Sequence, residues 1–372
     1  MLRPFFSSSN ASRLALFGSF ALLACSEKSS TIPFDSGTGG GAVTPDNISW
    51  CPAAPPTSAC NAVSVCGVCV PNPPGDLKRT TDTREFKGTG DPDLSCLKKG
   101  ATLKSLNPGT VKITMKGYAK IFANGPDSAN VKIEVFKEGA NGATDGAAIA
   151  STITDKTLPI GVKTETIYKA GKPQDRTLYP YEIKVDAFPV DMPLIVKTSG
   201  KAPEDGWFNL YDYGVIAYRT EVEASATFNF DVRALGNDDY ASILKAAYSR
   251  PPEGGKAAIA GEVHDCQRDD PSVPLEQREV RLANATVEIA PRSSAGLFYL
   301  SEVEDDPLPD PSRKGTGRLG LYAVGALSPG PYTVAASGKI GTTTYGLGSY
   351  TVQAFPDSVS VFTFRGRRPW QK

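Results

Sequence analysis

The chain has 372 residues, with 40 Lys and Arg against 40 Asp and Glu and a single His. This balance lacks the positive excess that coating a phosphate backbone requires, so we expect no nucleic-acid partner. One imidazole is also too few for most His-based metal or acid/base chemistry. At 40% hydrophobic and 22% charged residues the composition is globular, and the length leaves room for two domains.

Residues 1–24 predict a signal peptide. They contain Arg3 and Arg13 but no acid, and the apolar stretch Leu14–Ala24 is shorter than the roughly 20 residues of a transmembrane helix. Leu22-Leu-Ala-Cys25 resembles the lipobox of bacterial lipoproteins. The resemblance implies that Cys25 becomes the acylated first residue, carrying chains such as palmitate. Because Ser26 rather than Asp follows, it also implies the outer membrane. The alternative is a plain secretory signal that is cut nearby.

Residues 25–50 predict a flexible tether, since 14 of the 25 residues from Ser26 to Trp50 are Ser, Thr, Gly or Pro. Loss of Arg3 and Arg13 with the signal peptide reduces the 40 basic residues to 38, which gives the mature chain a net charge of −2. We therefore expect membrane contact through the lipid anchor and no polybasic contact.

Residues 51–103 predict a cysteine-rich neck with few alternating apolar runs of its own. Apart from Cys25, the cysteines are Cys51, Cys60, Cys66, Cys69, Cys96 and Cys266. An even number in an exported chain predicts three disulfides, whose pairing the sequence leaves open. The alternative is a zinc site formed by Cys66-Gly-Val-Cys69 with Cys51, Cys60 or His264, but a second CxxC is missing.

Residues 104–235 predict the first of two β-sandwich domains. In Val111–Lys116, alternation places Val111, Ile113 and Met115 on one face. Further strands are predicted at Val131–Val135, Tyr181–Ala187, Val215–Val222 and Thr227–Val232. Short strands with one apolar face need a second sheet to cover that face, so we expect an antiparallel sandwich.

Residues 236–256 predict a helical connector between the domains. Asn237 or Asp238 can cap a helix over Asn237–Arg250, and Pro251-Pro252 ends it. Its apolar stripe consists of Tyr240, Ile243, Leu244 and Ala247. At about four turns, the helix is expected to pack between the domains rather than to carry function.

Residues 257–366 predict a second β-sandwich. Its strands are predicted at Ala257–Val263, Ala285–Ala290, Gly320–Ala326, Pro331–Ser337, Thr343–Ala354 and Ser358–Phe364. The complete fold expected is all-β, with two antiparallel sandwiches of the immunoglobulin-like or transthyretin-like kind joined by a short helix.

Four segments of residues 257–366 carry recognisable strand and hairpin motifs. They are Ile259-Ala-Gly-Glu-Val-His-Asp-Cys266, Leu282-Ala-Asn-Ala-Thr-Val-Glu-Ile289, Gly320-Leu-Tyr-Ala323 and Leu327-Ser-Pro-Gly-Pro-Tyr-Thr-Val334. These motifs resemble the carboxypeptidase regulatory-like domain, a transthyretin-like sandwich, and the resemblance implies a non-catalytic accessory module. Gly117-Tyr-Ala and Ala129-Asn-Val-Lys-Ile133 resemble the same motifs more weakly, which leaves open whether domain 1 is a second copy.

The sequence predicts no enzyme and no cofactor. A metallocarboxypeptidase site needs two His and a Glu on zinc, whereas the chain has only His264, which we expect to be a half-exposed strand residue. A Gly-x-Ser-x-Gly nucleophile motif is missing too. The acidic run Asp305–Asp310 predicts a solvated loop, with calcium binding as the alternative. A carboxylate pair for glycoside hydrolysis stays open.

One segment is a candidate ligand patch. Trp207, Phe208, Tyr211 and Tyr213 lie within seven residues beside polar groups, a composition found where proteins contact sugars or other proteins. A half-buried strand explains the same pattern. The function predicted is a surface-anchored, non-catalytic structural or interaction protein of the bacterial envelope, with an envelope protein or polysaccharide as partner. The alternatives are a carbohydrate-binding protein and, further removed, an accessory subunit or divergent hydrolase.

Overall fold

Strands make up most of the regular structure, which confirms the all-β prediction. The computed structural model describes residue 60 and residues 62–80, 91–97, 105–123, 125–169, 172–266, 280–303 and 306–366. The predicted signal peptide and tether, with Cys25, and also Cys51 lie outside the described residues. Among the residues described, no helix is long and apolar enough to cross a membrane.

The neck forms a small hairpin with an apolar face. Its strands are β1 (Val63–Val65), β2 (Val68–Val70) and, further along, β3 (Lys78–Arg79). The four valines at the strand ends are buried and pack against Ala335. In each of the two three-residue strands, the outer two residues are buried and the middle one is more exposed. The neck therefore has apolar contacts in addition to its crosslinks.

Module 1, residues 105–236, is a sandwich of two sheets. Its elements are β4 (Gly109–Ile121), β5 (Val131–Glu138), β6 (Thr144–Ile153), β7 (Lys163–Lys169), β8 (Lys172–Leu178), β9 (Pro180–Val190), β10 (Leu194–Gly200), β11 (Trp207–Val215), helix α1 (Arg219–Ser225), β12 (Thr227–Asn229) and β13 (Val232–Gly236). The order β6-β5-β10-β11 faces β9-β4, which β12 and β13 extend. Ile113 and Met115 are buried between the sheets, as the alternation predicts.

The strand predicted at Val215–Val222 is wrong. β11 ends at Val215, and Arg219–Ser225 forms helix α1, which ends at Ala226 with positive φ. Arg219 pairs with Glu223 one turn later at 2.7 Å, and Val222 alone is buried against the sandwich. An i,i+4 ion pair and one inward apolar residue suit a helical turn better than a strand.

Helix α2 (Asn237–Tyr248) confirms the predicted helix, but its cap is Gly236, with no side-chain cap bond from Asn237 or Asp238. The helix ends before Pro251, where Ser249 adopts positive φ and its N–H bonds to the carbonyl of Lys245. Tyr240 and Leu244 are buried on the sheet. A β-carbon at Gly236 would lie 3.0 Å from the Asp239 Oδ2.

Module 2, residues 257–366, is the second sandwich. Its strands are β14 (Ala257–Glu262), β15 (Leu282–Ala283), β16 (Thr286–Ala290), β17 (Leu297–Tyr299), β18 (Leu321–Leu327), β19 (Gly330–Ile340), β20 (Thr343–Ala354) and β21 (Ser358–Val361). The sheet β21-β14-β18-β17 faces β16-β19-β20 over a core that includes Ile259, Val287 and Val334.

The modules share a sheet, because β11 of module 1 pairs in parallel with β21 of module 2. The same main sheet continues from β6 to β17. Parallel pairing also joins β21 to β14, and β12 and β13 to β4, so the sheets are mixed at these places. The remaining pairings between the named strands are antiparallel.

The two modules repeat one set of contacts. Gly117 of β4 lies opposite Tyr181 of β9, whose hydroxyl donates to the carbonyl of Phe230 at 2.5 Å. In module 2, Gly261 of β14 lies opposite Tyr322 of β18, whose hydroxyl donates to the carbonyl of Phe362 at 2.6 Å. A β-carbon on either glycine would overlap the phenylalanine carbonyl beside it.

Two further features recur in both modules. Asn130 and Asn284 both adopt positive φ just before the next strand, at 57° and 67°. The Thr154 hydroxyl bonds to the carbonyl of Ser128, and the Thr316 hydroxyl bonds to the carbonyl of Leu282, both at 2.7 Å. These shared positions align β4, β9 and β12 of module 1 with β14, β18 and β21 of module 2. The likeness in sequence therefore corresponds to a repeated set of contacts.

Candidate functional site

The predicted aromatic patch lies on β11, where two of its members belong to the core. Trp207 and Tyr213 are 7% and 3% exposed. The Trp207 Nε1 donates to the carbonyl of Ala129 at 2.8 Å, and the Tyr213 hydroxyl donates to the carbonyl of Gly142 at 2.7 Å. Burial raises the pKa of Tyr213 far above its ordinary value. Both polar tips are satisfied inside the protein.

Phe208 and Tyr211, the other two members, are half-buried and stacked. Phe208 stacks on Tyr240 of α2, with ring centroids 3.8 Å apart. Tyr211 stacks on Phe355 at 4.2 Å, and the Lys197 ammonium lies 5.6 Å from its ring centroid. Since two of the four rings are core residues, ligand binding by the patch as a whole stays a prediction.

The predicted disulfides are confirmed where the structure describes the cysteines. Cys60 bonds to Cys69, and Cys96 bonds to Cys266 across 170 residues. Cys66 is disulfide-bonded as well. Cys66 and Cys69 are therefore both engaged as disulfides rather than held ready for zinc. Within the described ranges, no group of three His, Cys, Asp or Glu side chains is arranged to hold a metal ion.

His264 is buried at 2% exposure, so the expectation of a half-exposed residue is wrong. Its backbone forms a bridge with Arg281, and its N–H bonds to the carbonyl of Phe364. His264 therefore lies between these two segments of module 2. The His264 Nε2 lies 2.6 Å from the Glu262 Oε2, and the Arg281 Nε lies 3.3 Å from the same oxygen. One carboxylate oxygen thus contacts both side chains.

The charge of Glu262 is stabilised by its neighbours. Burial alone would raise the pKa of Glu262, but the charges of Arg281 and Arg233 and the hydrogen bond with His264 hold it well below its usual range. Arg233 of β13 contacts both carboxylate oxygens of Asp212 at 3.0 Å through one nitrogen. We call Asp212, Arg233, Glu262, His264 and Arg281 the ionic cluster.

A groove opens beside the ionic cluster on the outer face of module 2. Its floor is formed by small or branched side chains of β14, β18 and β21, and α2 forms one wall. The groove and the open solvent at its mouth together amount to about 730 Å³. Arg233 and Glu262 are the charged residues of the lining, and the rest of the lining is almost entirely apolar. We call this feature the α2 groove.

The sequence contained one signal for the α2 groove. Ala257, Ala258, Ile259 and Ala260 are apolar on both faces of β14, whereas a strand with one solvated face alternates. That pattern indicates a covered outer face. The position of α2 over that face depends on long-range packing, which the helix pattern alone does not determine.

The acidic run contains ordinary turn contacts where it is described; Asp305 lies outside the described residues. The Asp310 carboxylate accepts bonds from the Ser312 hydroxyl at 2.6 Å and from the Arg313 Nε at 3.1 Å. Calcium binding by this run stays a prediction.

No family model matches the chain, and no curated protein matches it. Solved structures that it resembles include the TIE protein of Bacillus anthracis, at 9% identity over 69% of this chain, with a TM-score of 0.18. The chain spans 35% of that protein. A minor pilin of Streptococcus agalactiae shows 11% identity over 68% of this chain and 94% of its own, with a TM-score of 0.16. The major pilin subunit of Bacillus cereus shows 8% identity over 70% and 71%, with a TM-score of 0.16. At such scores the likeness does not establish a common fold or function.

Proposed function

We propose that the chain is a lipoprotein of the bacterial outer membrane, anchored through Cys25, that acts there as a non-catalytic structural or interaction protein. The single observation that carries the proposal is the disulfide between Cys96 and Cys266, which joins the neck to module 2. Disulfides form and persist in oxidising compartments, so this bond agrees with the export that residues 1–25 predict. The apolar stretch and cysteine of those residues supply the anchor.

The chemistry of the described residues supports a non-catalytic role. The only imidazole of the chain has a fully buried side chain within 2.6 Å of Glu262. A general acid or base must reach its substrate, and a buried His held in an ionic cluster does not. Glu262 and Asp212 are likewise engaged by arginines. The ionic cluster therefore fixes structure rather than supplying proton transfer.

The resemblance of residues 257–366 to the carboxypeptidase regulatory-like domain is part of the proposal. In its support, the four motif segments fall on β14, β15 with β16, β18, and the start of β19. The Pro-Gly before Tyr332 begins β19 at Gly330, as a hairpin motif of this kind requires. An accessory module of this type suits a displayed, non-catalytic protein.

The experiment compares the chain with a Cys25→Ser variant in a Gram-negative host. We expect the unaltered protein to incorporate labelled palmitate and to sediment with outer membranes, and Cys25→Ser to lose both properties. Ser26→Ala, which keeps the cysteine and introduces no acid, is the matched control and should stay membrane-bound. Unchanged fractionation of Cys25→Ser would contradict the anchor.

A further inference from the structure

The same sheet face carries opposite chemistry in the two modules. The repeated contacts around Gly117 and Gly261 align Lys116 with Ala260, and the parallel pairings align Asn229 with Val361. On module 1 this outer face is polar and reaches solvent. On module 2 it is apolar and forms the floor of the α2 groove. The fold itself therefore tolerates polar residues at these positions, and the apolar floor is a particular property of module 2.

Helix α2 covers only part of that apolar face. Leu244 packs against Gly325 so closely that a β-carbon there would clash with it. The Tyr248 hydroxyl fixes the helix by donating to the carbonyl of Gly296 at 2.9 Å and accepting from the Gly325 N–H at 2.8 Å. The wall is thus held in place while the groove beside it stays open, which is the condition for a pre-formed binding site.

We propose that the α2 groove binds one unbranched alkyl chain whose polar end is uncharged. The small side chains Ala258, Ala260 and Ala323 leave room along the floor, and aliphatic and phenyl groups form the walls. Each buried methylene contributes about 0.8 kcal/mol, so such a lining favours a hydrocarbon over a sugar, whose hydroxyls would lack partners.

The ionic cluster determines the polar end of the ligand. Of these groups Arg233 and Glu262 line the groove, and each is paired inside the protein, Arg233 with Asp212 and Glu262 with Arg281 and His264. The two lining charges are opposite in sign, so a charged head group would meet a like charge from one of them. An alcohol or an ester, which can exchange hydrogen bonds without a charge, complements this end.

The test uses the full chain in its soluble Cys25→Ser form. The fluorescent probe N-phenyl-1-naphthylamine should bind saturably with one equivalent, and dodecan-1-ol should displace it. Dodecanoate should compete at least about tenfold more weakly because of its charge. Absence of saturable binding, or equal competition by the anion, would overturn the proposal.

Two variants introduce the residues that module 1 carries at the same positions. Ala260→Lys and Val361→Asn should weaken probe binding at least about tenfold, while Lys116→Ala on module 1 is the matched control and should leave it unchanged. Thermal melting checks that each variant is folded. If Ala260→Lys fails to fold, the test uses Ala260→Leu instead, because a leucine side chain fills the groove without adding a charge. Unchanged binding in a folded groove variant, or loss in the control, would refute the site.

The source of the alkyl chain is settled by repeating the titration on the lipidated protein. If the chain's own acyl groups occupy the groove, the probe binds to the Cys25→Ser form and is excluded from the lipidated form. If the chain belongs to a separate lipid, both forms bind alike. This test does not depend on the proposed envelope function, because it measures the groove in unanchored protein.

Discussion

Glu138 is a half-buried carboxyl that should make the stability of the protein depend on pH. It ends β5 and accepts a hydrogen bond of 2.7 Å from the hydroxyl of Tyr350 on β20, so it links module 1 to module 2. Burial raises the pKa of Glu138 from 4.5 to about 7, although the Tyr350 bond opposes the rise. The change we consider is Glu138→Gln, which keeps an acceptor for Tyr350 and removes the charge.

The direction in which stability changes with pH follows from proton linkage. Because the folded state holds the proton more tightly than the unfolded state, the contribution to stability is complete below pH 4.5 and is lost as pH rises toward 7. At about 1.4 kcal/mol per pH unit, the loss amounts to at most about 3 kcal/mol, since the side chain is only partly buried. The glutamine variant has no such titration and should gain relative stability over this window.

Urea unfolding followed by the fluorescence of buried Trp207 measures the difference. At pH 5 we expect Glu138→Gln to unfold close to the parent, and at pH 8.5 to be more stable by up to about 3 kcal/mol. Glu134→Gln on the same strand is the control with the opposite sign. Burial alone would raise the pKa of Glu134, but Lys132 and Lys197 hold it below its ordinary value. An equal effect of Glu138→Gln at both pH values would refute the linkage.

Two further predictions concern features that hold the modules together. Gly261→Ala and Gly117→Ala should each lower the free energy of unfolding in urea by about 3 kcal/mol or more, because the new methyl displaces the carbonyl that Tyr322 or Tyr181 binds. In the control Gly254→Ala, the β-carbon meets open space and the loss should be small. Equal losses in all three variants would contradict the repeat. Replacing Cys96 and Cys266 together by Ser should lower the free energy of unfolding by about 5 kcal/mol, because their disulfide closes a loop of 170 residues. Replacing Cys60 and Cys69 should lower it by about 3 kcal/mol, because that loop has only 9 residues. Equal losses in urea unfolding would speak against this reasoning.

Strands with one buried face were predictable because their alternation is written in the sequence. Val131–Val135 corresponds to β5 on this ground, since burial alternates along that strand. Ser358–Phe364 corresponds to β21, whose four residues are all buried. β6 and the pair β7 and β8 were not predicted. Several of their side chains are exposed on both faces, so little apolar alternation marks them. The sequence predicts a strand at Val215–Val222, whereas β11 ends at Val215 and α1 begins at Arg219.

The candidate site was harder to predict because it depends on contacts across long sequence distances. The aromatic cluster around Trp207 is visible in the sequence, yet its side chains contact partners from β20, α2 and the segment before β5. His264 looked like a strand-end residue, and its burial results from Arg281 and Phe364 beyond it in the chain. Spacing along one strand gives the face of a side chain but not what covers that face.

The repeat explains why the two modules differ where they do. Positions that face the core or a tight contact, such as Gly117 and Gly261, keep the same residue because a side chain there would break the sheet pairing. The outer-face positions Lys116 and Ala260 differ freely, since neither fills the space between the sheets. At these aligned positions the fold therefore constrains the inner residue and leaves the outer residue open to a change of chemistry. By this reasoning the apolar outer face of module 2 is not required by the fold, which is why we place the proposed ligand site there.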